Sequence, residues 1–328
     1  METVIEVHNL YKRFNMEAGF FSKNRHNVYA VNDVSFSVQK GSTFGIVGES
    51  GCGKTTTAKM LVQLYNQTHG EILYHPSDES PLVGVKTASG FVSVSSLKKK
   101  QLSLFREEVK YVFQDPARSL NPRMSVFEVL TAGLRYSSLW EGKKAALEKS
   151  EKILTEVGLK TEDLLRRPAE FSGGQRQRIS IARGLIMNPR LLICDEVVSA
   201  LDVSIQGQII NLLCDLRQTH DLTYIFITHD LKVACYFCDK IGVMYRGILV
   251  EEAPAKDLYK TAFHPYTKLL FSGSKGELTS SSKEVKTSLQ TEAGCPFAYR
   301  CPYSSERCQK ELPEFRTLES GHRVRCFL

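Results

Sequence analysis

The 328-residue sequence lacks the features that would place it across a membrane or outside the cell. None of its apolar runs approaches the roughly 18 residues that a membrane-spanning helix needs. Its start, Met1–Glu6, contains neither the basic segment nor the apolar segment of a secretory signal. We therefore expect a chain that begins in the cytoplasm and does not cross the bilayer by itself.

The sequence also lacks internal repeats, sustained heptads and compositional bias. Hydrophobic residues make up 42% and charged residues 24% of it, proportions that exclude disordered, collagen-like and coiled-coil proteins. The net charge of +7 is small for this length, so contact with phosphates, nucleic acid or an anionic membrane is permitted but not required. The length predicts about two domains, or one large domain with an appendage.

The nine cysteines are distributed unevenly along the chain. Five are scattered through apolar or helical surroundings, where we expect buried free thiols: Cys52, Cys194, Cys214, Cys235 and Cys238. The other four crowd the last 34 residues, at Cys295, Cys301, Cys308 and Cys326. In a cytoplasmic protein such a cluster more often binds metal than forms disulfides. Four thiolates suit Zn²⁺ or a 4Fe–4S cluster, and spacing alone does not choose between these and reduced thiols without metal.

Hydrophobic patterning predicts an α/β protein. Short apolar runs bounded by turn residues predict strands at Thr3–Phe14, Val28–Val38, Thr43–Val47, Arg190–Cys194 and Thr223–Ile227. A helical pattern from Ser125 to about Leu165 predicts a helical insertion. Residues 75–100, rich in Ser, Gly, Val and Lys, predict an irregular surface excursion. The polar stretch Ser272–Glu292 predicts a linker to the cysteine-rich tail.

A glycine-rich loop between a predicted buried strand and a predicted helix matches the phosphate-binding pattern G-x-x-x-x-G-K-S/T. Its glycines let backbone N–H groups turn inward around a phosphate, and the dipole of the following helix favours negative charge. Lys54 is expected to reach the β- and γ-phosphates of ATP, and Thr55 to supply a hydroxyl to Mg²⁺. The residues assigned to ATP binding are Gly48, Glu49, Ser50, Gly51, Cys52, Gly53, Lys54, Thr55 and Thr56.

A second motif, Leu191–Glu196, is an apolar run that ends in two acids. A buried strand delivers Asp195 at its carboxyl end, where open α/β sheets bind ligands. Asp195 is expected to hold Mg²⁺ through water, and Glu196 to act as general base toward an attacking water. Together with the glycine-rich loop, this motif predicts a site for ATP hydrolysis.

The segment Phe171–Arg183 carries the most specific motif of the chain. It begins Phe-Ser-Gly-Gly-Gln and resembles the signature segment of ATP-binding-cassette (ABC) ATPases. A Gly-Gly pair that opens a helix offers N–H groups and a positive dipole to a phosphate. The resemblance implies that these residues meet the γ-phosphate bound by an opposite subunit, so that ATP is sandwiched between two cassettes: Ser172, Gly173, Gly174 and Gln175.

The resemblance extends to three shorter segments. Gln114 matches the glutamine that senses Mg²⁺ and the attacking water, and is assigned to the Mg²⁺ ligands together with Thr55 and Asp195. Residues Ser199–Asp202 match the D-loop of the family, with Asp202 as its last residue. His229 matches the switch histidine that contacts the γ-phosphate.

One assignment stays open, and the sequence departs from the family pattern in two places. The aromatic residue expected to stack on adenine is Phe14, with Tyr29 as its rival. Phe171 replaces the usual Leu of the signature, and Val197–Val198 replace the usual Pro-Thr after the catalytic acid. Because these changes leave Ser172 and Glu196 in place, we expect an active site.

Two more stretches, Ser119–Met124 and His264–Thr267, resemble the ATPase subunits of oligopeptide, dipeptide and nickel ABC importers, and more closely the second of the paired ATPases. The resemblance implies a P-loop nucleotide-binding domain at residues 1–262, with a RecA-like core sheet, an antiparallel β-subdomain and a helical subdomain at about 115–175. A C-terminal extension at 263–328 then holds the linker and the cysteine motif. The resemblance favours an iron–sulfur cluster over zinc in that tail.

The predicted function is energy coupling by ATP hydrolysis in a binding-protein-dependent importer of di- or oligopeptides, at the cytoplasmic face of the membrane. The implied partners are a homologous ATPase subunit in a heterodimer, two transmembrane permeases and an extracellular substrate-binding protein; no nucleic acid is expected. Alternatives are uptake of nickel, metal chelates or opines, and a cassette ATPase that acts on nucleic acid or the ribosome. A cassette that binds ATP without turnover is disfavoured by the intact Glu196 and His229.

Overall fold

The computed structural model of the protein describes residues 2–17, 25–87, 90–273, 294–318 and 321–328. The strands among them are β1 (Thr3–Glu17), β2 (Arg25–Gln39), β3 (Thr43–Val47), β4 (His69–Tyr74), β5 (Val92–Ser93), β6 (Val109–Val112), β7 (Leu191–Asp195), β8 (Thr223–Thr228), β9 (Lys240–Tyr245), β10 (Ile248–Pro254), β11 (Arg316–Thr317) and β12 (Arg323–Val324). The α-helices are α1 (Lys54–Leu61), α2 (Lys99–Glu108), α3 (Pro116–Ser119), α4 (Val126–Leu134), α5 (Lys143–Glu156), α6 (Gly173–Leu185), α7 (Val203–His220), α8 (Leu231–Phe237), α9 (Ala255–Thr261), α10 (Pro265–Gly273) and α11 (Glu306–Lys310). No helix in the described ranges is long and apolar enough to cross a membrane.

Five parallel strands in the order β6-β7-β8-β3-β9 form one side of the larger sheet, with β6 at its edge. Every residue of β3, β7 and β8 is buried, as expected for parallel strands covered on both faces. Because these strands run in one direction, the segments that follow β3, β6, β7 and β8 leave the sheet at the same edge. The predicted α/β architecture is confirmed, and it brings distant motifs together.

A smaller antiparallel sheet has the strand order β2-β1-β4-β5. Its two long strands pair from Thr3 opposite Gln39 to Glu17 opposite Arg25, beyond the ends that the sequence predicts. Phe36 of this sheet stacks on Phe44 of β3, with ring centres 4.7 Å apart, so the two sheets share a core.

Helices α3, α4 and α5 lie between β6 and α6, inside the predicted helical insertion. Helix α4 begins with a capping box, in which Ser125 Oγ accepts from the N–H of Glu128 (3.2 Å) and the Glu128 carboxylate accepts from the N–H of Ser125 (2.8 Å). The apolar face of α4 packs into one core with Ile153 and Leu154 of α5. The insertion therefore buries its own apolar stripe against the larger sheet's helical layer.

Residues 75–100 are more ordered than the sequence predicts. They contain short 3-10 turns at Val83–Val85 and Val94–Ser96, the strand β5, and the start of α2. Leu82, Val92 and Val94 are buried. The expected irregular backbone is found over most of residues 75–87 and 90–100; the two-residue strand and the single turns were not expected, because they leave no periodic pattern in the sequence. The run Lys98–Lys100 is exposed, as expected.

The scattered cysteines are all free thiols. Cys52, Cys194 and Cys238 are buried as predicted, whereas Cys214 and Cys235 are only half-buried. Burial raises the pKa of the Cys235 thiol to about 11, which keeps it protonated near neutral pH.

The cysteine-rich tail packs directly on the parallel sheet. Strand β12 pairs with β10, with Val324 opposite Glu251, and β11 pairs with β12, so the tail extends the edge of the larger sheet. The sequence predicted a tail behind a linker but not these strands. The predicted linker lies outside the described residues, except for Ser272 and Gly273 at the end of α10. The boundary between 1–262 and 263–328 stays a prediction.

A buried carboxylate fastens the tail to the sheet. Glu251 of β10 has no exposed surface. Its Oε1 accepts from the N–H of Phe263 (2.6 Å) and lies 2.6 Å from His322 Nε2, and its Oε2 accepts from the N–H of His264 (3.0 Å). Next to it, Glu252 pairs with Arg323 Nη2 of β12 at 2.6 Å. Because a buried carboxylate is costly unless its oxygens are satisfied, this network holds β10, the start of α10 and β12 in one arrangement.

We predict that Glu251→Gln lowers the free energy of unfolding by about 2–3 kcal/mol, because an amide N–H₂ replaces one of the two oxygens, each of which accepts a backbone N–H. Urea unfolding of the full-length chain measures the loss. The matched control is Glu306→Gln, which removes an exposed ion pair with Lys310 and is expected to cost less than about 1 kcal/mol. Equal losses for the two variants would contradict the anchoring role of Glu251.

Candidate functional site

The loop between β3 and α1 is shaped by glycines. Gly51 and Gly53 have φ angles of +79° and +111°, values that residues with side chains rarely adopt. A Cβ on Gly53 would lie 2.2 Å from the carbonyl oxygen of Ala30, so β2 also blocks any side chain there. A Cβ on Gly51 would meet no atom within 4 Å, so at this exposed residue the positive φ alone favours glycine. The loop thus forms a backbone cradle of the kind that holds a phosphate.

Lys54, the first residue of α1, is folded back over this cradle. Its ammonium donates to the carbonyl oxygens of Gly48 (2.7 Å) and Glu49 (3.0 Å), and the side chain is buried. The cradle therefore holds a fixed positive charge at the amino end of a helix, which is an electrostatic match for polyphosphate. Cys52 turns its thiol inward to within 3.9 Å of the ammonium, and burial raises its pKa.

Oxygen ligands suited to Mg²⁺ meet beside the loop. Thr55 Oγ1 donates to Asp195 Oδ1 at 3.1 Å, at the carboxyl end of β7. Burial raises the pKa of Asp195, while the hydrogen bonds from Tyr111 and Thr55 oppose that rise. A hydroxyl beside a carboxylate is a donor set that Mg²⁺ prefers, so these residues fit the predicted ion.

Tyr111 is a site residue that the sequence reasoning missed. Its hydroxyl donates to Asp195 Oδ2 at 2.5 Å, from the neighbouring strand β6. The hydrogen bond fixes the carboxylate whose other oxygen faces Thr55. The position of Tyr111, close before Gln114 at the end of a strand, was the only available signal.

Glu196 is the point where the remaining motifs converge. Its Oε2 accepts from Gln114 Nε2 (2.8 Å) and lies 3.9 Å from His229 Nδ1, and its Oε1 lies 3.8 Å from Lys54 Nζ. The parallel sheet therefore brings together four residues that the sequence assigned to one site, although they follow four different strands.

The backbone of Glu196 is held in an unusual conformation. Its φ is +47°, in the left-handed region. Its N–H donates to the carbonyl oxygen of Ile227 on β8 (2.9 Å), and its own carbonyl oxygen accepts from Ser199 Oγ (2.8 Å). Such a conformation costs of order 1–2 kcal/mol and persists only where the surroundings fix it. The turn aims the carboxylate across the edge of the sheet toward the phosphate loop.

The signature residues lie at the start of α6. Ser172 caps α6, since its Oγ accepts from the N–H of Gln175 (3.3 Å) and the Gln175 side chain accepts from the N–H of Ser172 (3.0 Å). Phe171, the departure from the family pattern, is buried under the guanidinium of Arg166, 4.4 Å from the ring centre. Among the described residues, no hydrogen bond or ion pair joins Ser172–Gln175 to the phosphate loop.

Asp202 and the aromatic candidates have defined surroundings. Asp202 caps α7, accepting from the N–H of Ile205 at 3.0 Å. Phe14 lies edge-to-face on Tyr65, with ring centres 5.8 Å apart. Tyr29 precedes Ala30, the residue that crowds Gly53. The choice between Phe14 and Tyr29 stays open.

The tail cysteines lie in one neighbourhood but are not arranged as a metal site. The N–H of Cys295 donates to the carbonyl oxygen of Cys308 at 2.8 Å. Burial, with smaller contributions from the thiols of Cys308, Cys326 and Cys301, raises the pKa of the Cys295 thiol to about 11. In the part of the chain that the structure describes, no three His, Cys, Asp or Glu side chains are placed to hold a metal ion. The arrangement of side chains therefore does not fit the predicted centre.

Comparison with known proteins gives two family matches along the chain. The model described as "ABC transporter" matches residues 31–199, which include the phosphate loop, the signature, Asp195 and Glu196. The model described as "Oligopeptide/dipeptide transporter, C-terminal region" matches residues 250–308, which include Cys295, Cys301 and Cys308.

Similar proteins align over most of the chain. "Oligopeptide transport ATP-binding protein AppF" of Bacillus subtilis (strain 168) is 40% identical over 336 residues, covering 100% of this chain and 98% of that protein. "Di/tripeptide transport ATP-binding protein DppF" of Pseudomonas aeruginosa (strain UCBPP-PA14) is 38% identical, with coverage of 97% and 96%. Among solved structures, a dimeric ATP-binding cassette in a post-hydrolysis state, bound to ADP and Pi, is 25% identical with a TM-score of 0.62, covering 76% of this chain and 98% of its own.

Proposed function

Because the chain belongs to the ABC transporter family of ATPases, we propose that it is the ATP-hydrolysing, energy-coupling subunit of a peptide importer. The relatives named above are oligopeptide and di/tripeptide transport proteins, which supports peptides over nickel, metal chelates or opines as the cargo. The match of the C-terminal region supports an importer over a cassette that acts on nucleic acid or the ribosome.

The convergence of three side chains on Glu196 is the observation that carries the proposed chemistry. Glu196 is the general base that accepts a proton from the attacking water, and Gln114 and His229 orient water and γ-phosphate around it. Lys54 neutralises the β- and γ-phosphates from within the cradle. Catalysis then comes mainly from positioning of the reactants and from preorganised electrostatic stabilisation of the transition state.

Thr55, Asp195 and Gln114 would hold Mg²⁺. Thr55 and Asp195 share a hydrogen bond, and Gln114 is bonded to Glu196, the residue that follows Asp195. When bound, the ion supplies positive charge to the phosphate oxygens. Tyr111 keeps the Asp195 carboxylate in place through its hydroxyl. The remaining residues of the loop, Gly48–Gly53 and Thr56, contribute backbone N–H groups and the start of α1, and Phe14 or Tyr29 stacks on adenine.

We further propose that two cassettes close around ATP. Ser172–Gln175 and Asp202 would act on the nucleotide of a homologous partner, as the family resemblance of these segments implies. The two Gly residues at the start of α6 place N–H groups and the helix dipole at an exposed surface suited to a phosphate. The dimeric assembly of the solved cassette supports this arrangement.

The permease partners would dock at a cavity between β6 and the helical insertion. This cavity, of about 280 Å³, is lined by residues that include Phe113, Met124, Ala132, Gly133 and Arg183. Phe113, which lines it, precedes Gln114 in the chain, so a helix bound in the cavity would be coupled to closure of the nucleotide site. Attachment at this cavity would hold the chain at the cytoplasmic face of the membrane, opposite the extracellular substrate-binding protein.

For the cysteine tail we propose an iron–sulfur centre, with zinc as the alternative, on the basis of the sequence alone. Cys295, Cys301, Cys308 and Cys326 share one neighbourhood, which supports a common ligand, whereas their side-chain geometry does not. No step of ATP hydrolysis depends on such a centre.

We predict that Glu196→Gln lowers ATP turnover by about 10²–10⁴-fold, because the amide keeps the shape but accepts no proton. Binding of Mg·ATP by the full-length chain should be retained. The control is Glu148→Gln, at an exposed position of α5, which should leave turnover unchanged. Unaltered turnover in Glu196→Gln would remove the base from this account and would also weigh against the proposed function.

We predict that Ala132→Trp reduces co-purification with the permeases, because the indole fills the cavity. Leu147→Trp also introduces an indole, at an exposed site of α5 outside the cavity, and serves as the control. The measurement is the ratio of permease to ATPase subunit after affinity purification from membranes. The same ratio in both variants would contradict docking at this cavity.

For the tail, the sequence resemblance predicts iron and acid-labile sulfide in the protein purified without oxygen, whereas the side-chain arrangement predicts neither, and elemental and sulfide analysis decides between the two. Substituting Cys301 by Ser should remove both, while Cys214→Ser, at a half-buried cysteine of α7, should not. Equimolar zinc without iron or sulfide would refute the cluster, and absence of all three would leave four free thiols.

A further inference from the structure

The tail reaches the phosphate loop through one arginine. Arg300 donates from Nη1 to Glu49 Oε2 (3.0 Å) and from Nη2 to Glu49 Oε1 (3.1 Å). Glu49 is the second residue of the phosphate loop, 251 positions before Arg300. A guanidinium that pairs with both oxygens of a carboxylate is fixed in direction as well as in charge.

The backbone of Glu49 is anchored by the same region of the protein. Its N–H donates to the hydroxyl of Tyr266 at 2.9 Å, and Tyr266 is fully buried at the start of α10. The carbonyl oxygen of Glu49 accepts from the ammonium of Lys54. Three polar groups of one loop residue are therefore held from three directions, and two of the partners belong to the C-terminal extension.

Arg300 itself is held by aromatic packing. Phe297 of the tail is buried, edge-to-face with Tyr245 at the end of β9 (5.3 Å between ring centres) and 5.4 Å from the ring of Tyr266. The guanidinium of Arg300 lies 5.7 Å from the ring centre of Phe297 and 5.9 Å from that of Tyr245. Because the aromatic cluster is formed between tail and sheet, the arginine is in place before any nucleotide binds.

The contact has a direct electrostatic consequence for a triphosphate. An unpaired carboxylate at Glu49 would place a negative charge on the loop that receives the negative phosphates, and like charges at this range repel. The guanidinium neutralises that carboxylate through two hydrogen bonds of 3.0 and 3.1 Å, and an arginine side chain carries its charge at every physiological pH. It also keeps the Glu49 side chain turned toward the tail.

We infer that Arg300 is a positioning residue for the phosphate loop, through which the cysteine-rich tail sets the affinity of the site for ATP. Arg300 acts through Glu49 and does not itself reach the reacting atoms. The inference rests on the ATP site of the proposed function, and it gives the tail a role in nucleotide binding that is independent of any metal.

The test is equilibrium titration of the full-length chain with Mg·ATP, together with KM and kcat for hydrolysis. Arg300→Ala is expected to raise Kd and KM about three- to fivefold while kcat changes little, since the ion pair is partly exposed. The difference from the wild type should shrink at high salt, because it originates in charge. Arg300→Lys keeps the charge and should recover most of the affinity.

Arg307→Ala is the matched control. Arg307 is also a tail arginine, it pairs with Glu311 (2.9 Å) and lies over the ring of Phe327 (4.1 Å), but these contacts stay within the tail. Its Kd for Mg·ATP should equal that of the wild type. Equal Kd values for Arg300→Ala and Arg307→Ala, or a loss in kcat with KM unchanged, would overturn the inference.

A double-mutant cycle separates positioning from general destabilisation. Glu49→Gln removes the carboxylate, so adding Arg300→Ala to it should raise Kd much less than Arg300→Ala does in the wild type. Strictly additive effects would overturn the inference. Arg300→Gln can replace Arg300→Ala if the latter does not fold.

Failure of the inference and failure of the proposed function give different results. A wild-type chain that binds no ATP would refute the proposed function. A wild type that binds ATP, with an Arg300 variant that binds it equally well, would refute the inference alone.

Discussion

In a parallel sheet all strands deliver their carboxyl ends to one edge, and this constraint makes the site possible. The phosphate loop, Gln114, Glu196 and His229 follow β3, β6, β7 and β8, and only the common direction of these strands brings them within reach of one another. The edge is also where the sheet offers backbone N–H groups and helix dipoles to an anion. Everything proposed about catalysis depends on that shared edge.

The tail adds a second constraint, this time on the loop itself. Its strands continue the larger sheet, its aromatic residues pack on β9 and α10, and Arg300 extends from that platform to Glu49. The buried network around Glu251 holds the platform from the other side. A segment that looks like an appendage in the sequence thus pairs with strand β10 and also contacts the phosphate loop. The catalytic edge and the tail share the phosphate loop as their common element.

Part of the fold and of the nucleotide site could be predicted from local sequence motifs. Residues Gly48–Thr55 and the pair Asp195–Glu196 were found because a phosphate loop and an acid-ended strand are contiguous, and β3 was predicted with the bounds that the structure has. Tyr111 and Arg300 were not found, because their partners lie 84 and 251 residues away and neither sits in a recognisable motif. Strands β11 and β12 are too short to leave a pattern. The helical insertion was predicted because the helical pattern there extends over enough residues to be recognised.

The central claim is that Glu196 faces the γ-phosphate at the edge of the sheet. The most direct test is a structure of the Glu196→Gln chain with Mg·ATP, in which the distance from the side chain at position 196 to the γ-phosphate is measured. The account predicts that one water molecule at most separates them, with Lys54 on the phosphates and Thr55 beside the metal. A γ-phosphate that lies next to another carboxylate, with position 196 turned away, would contradict it.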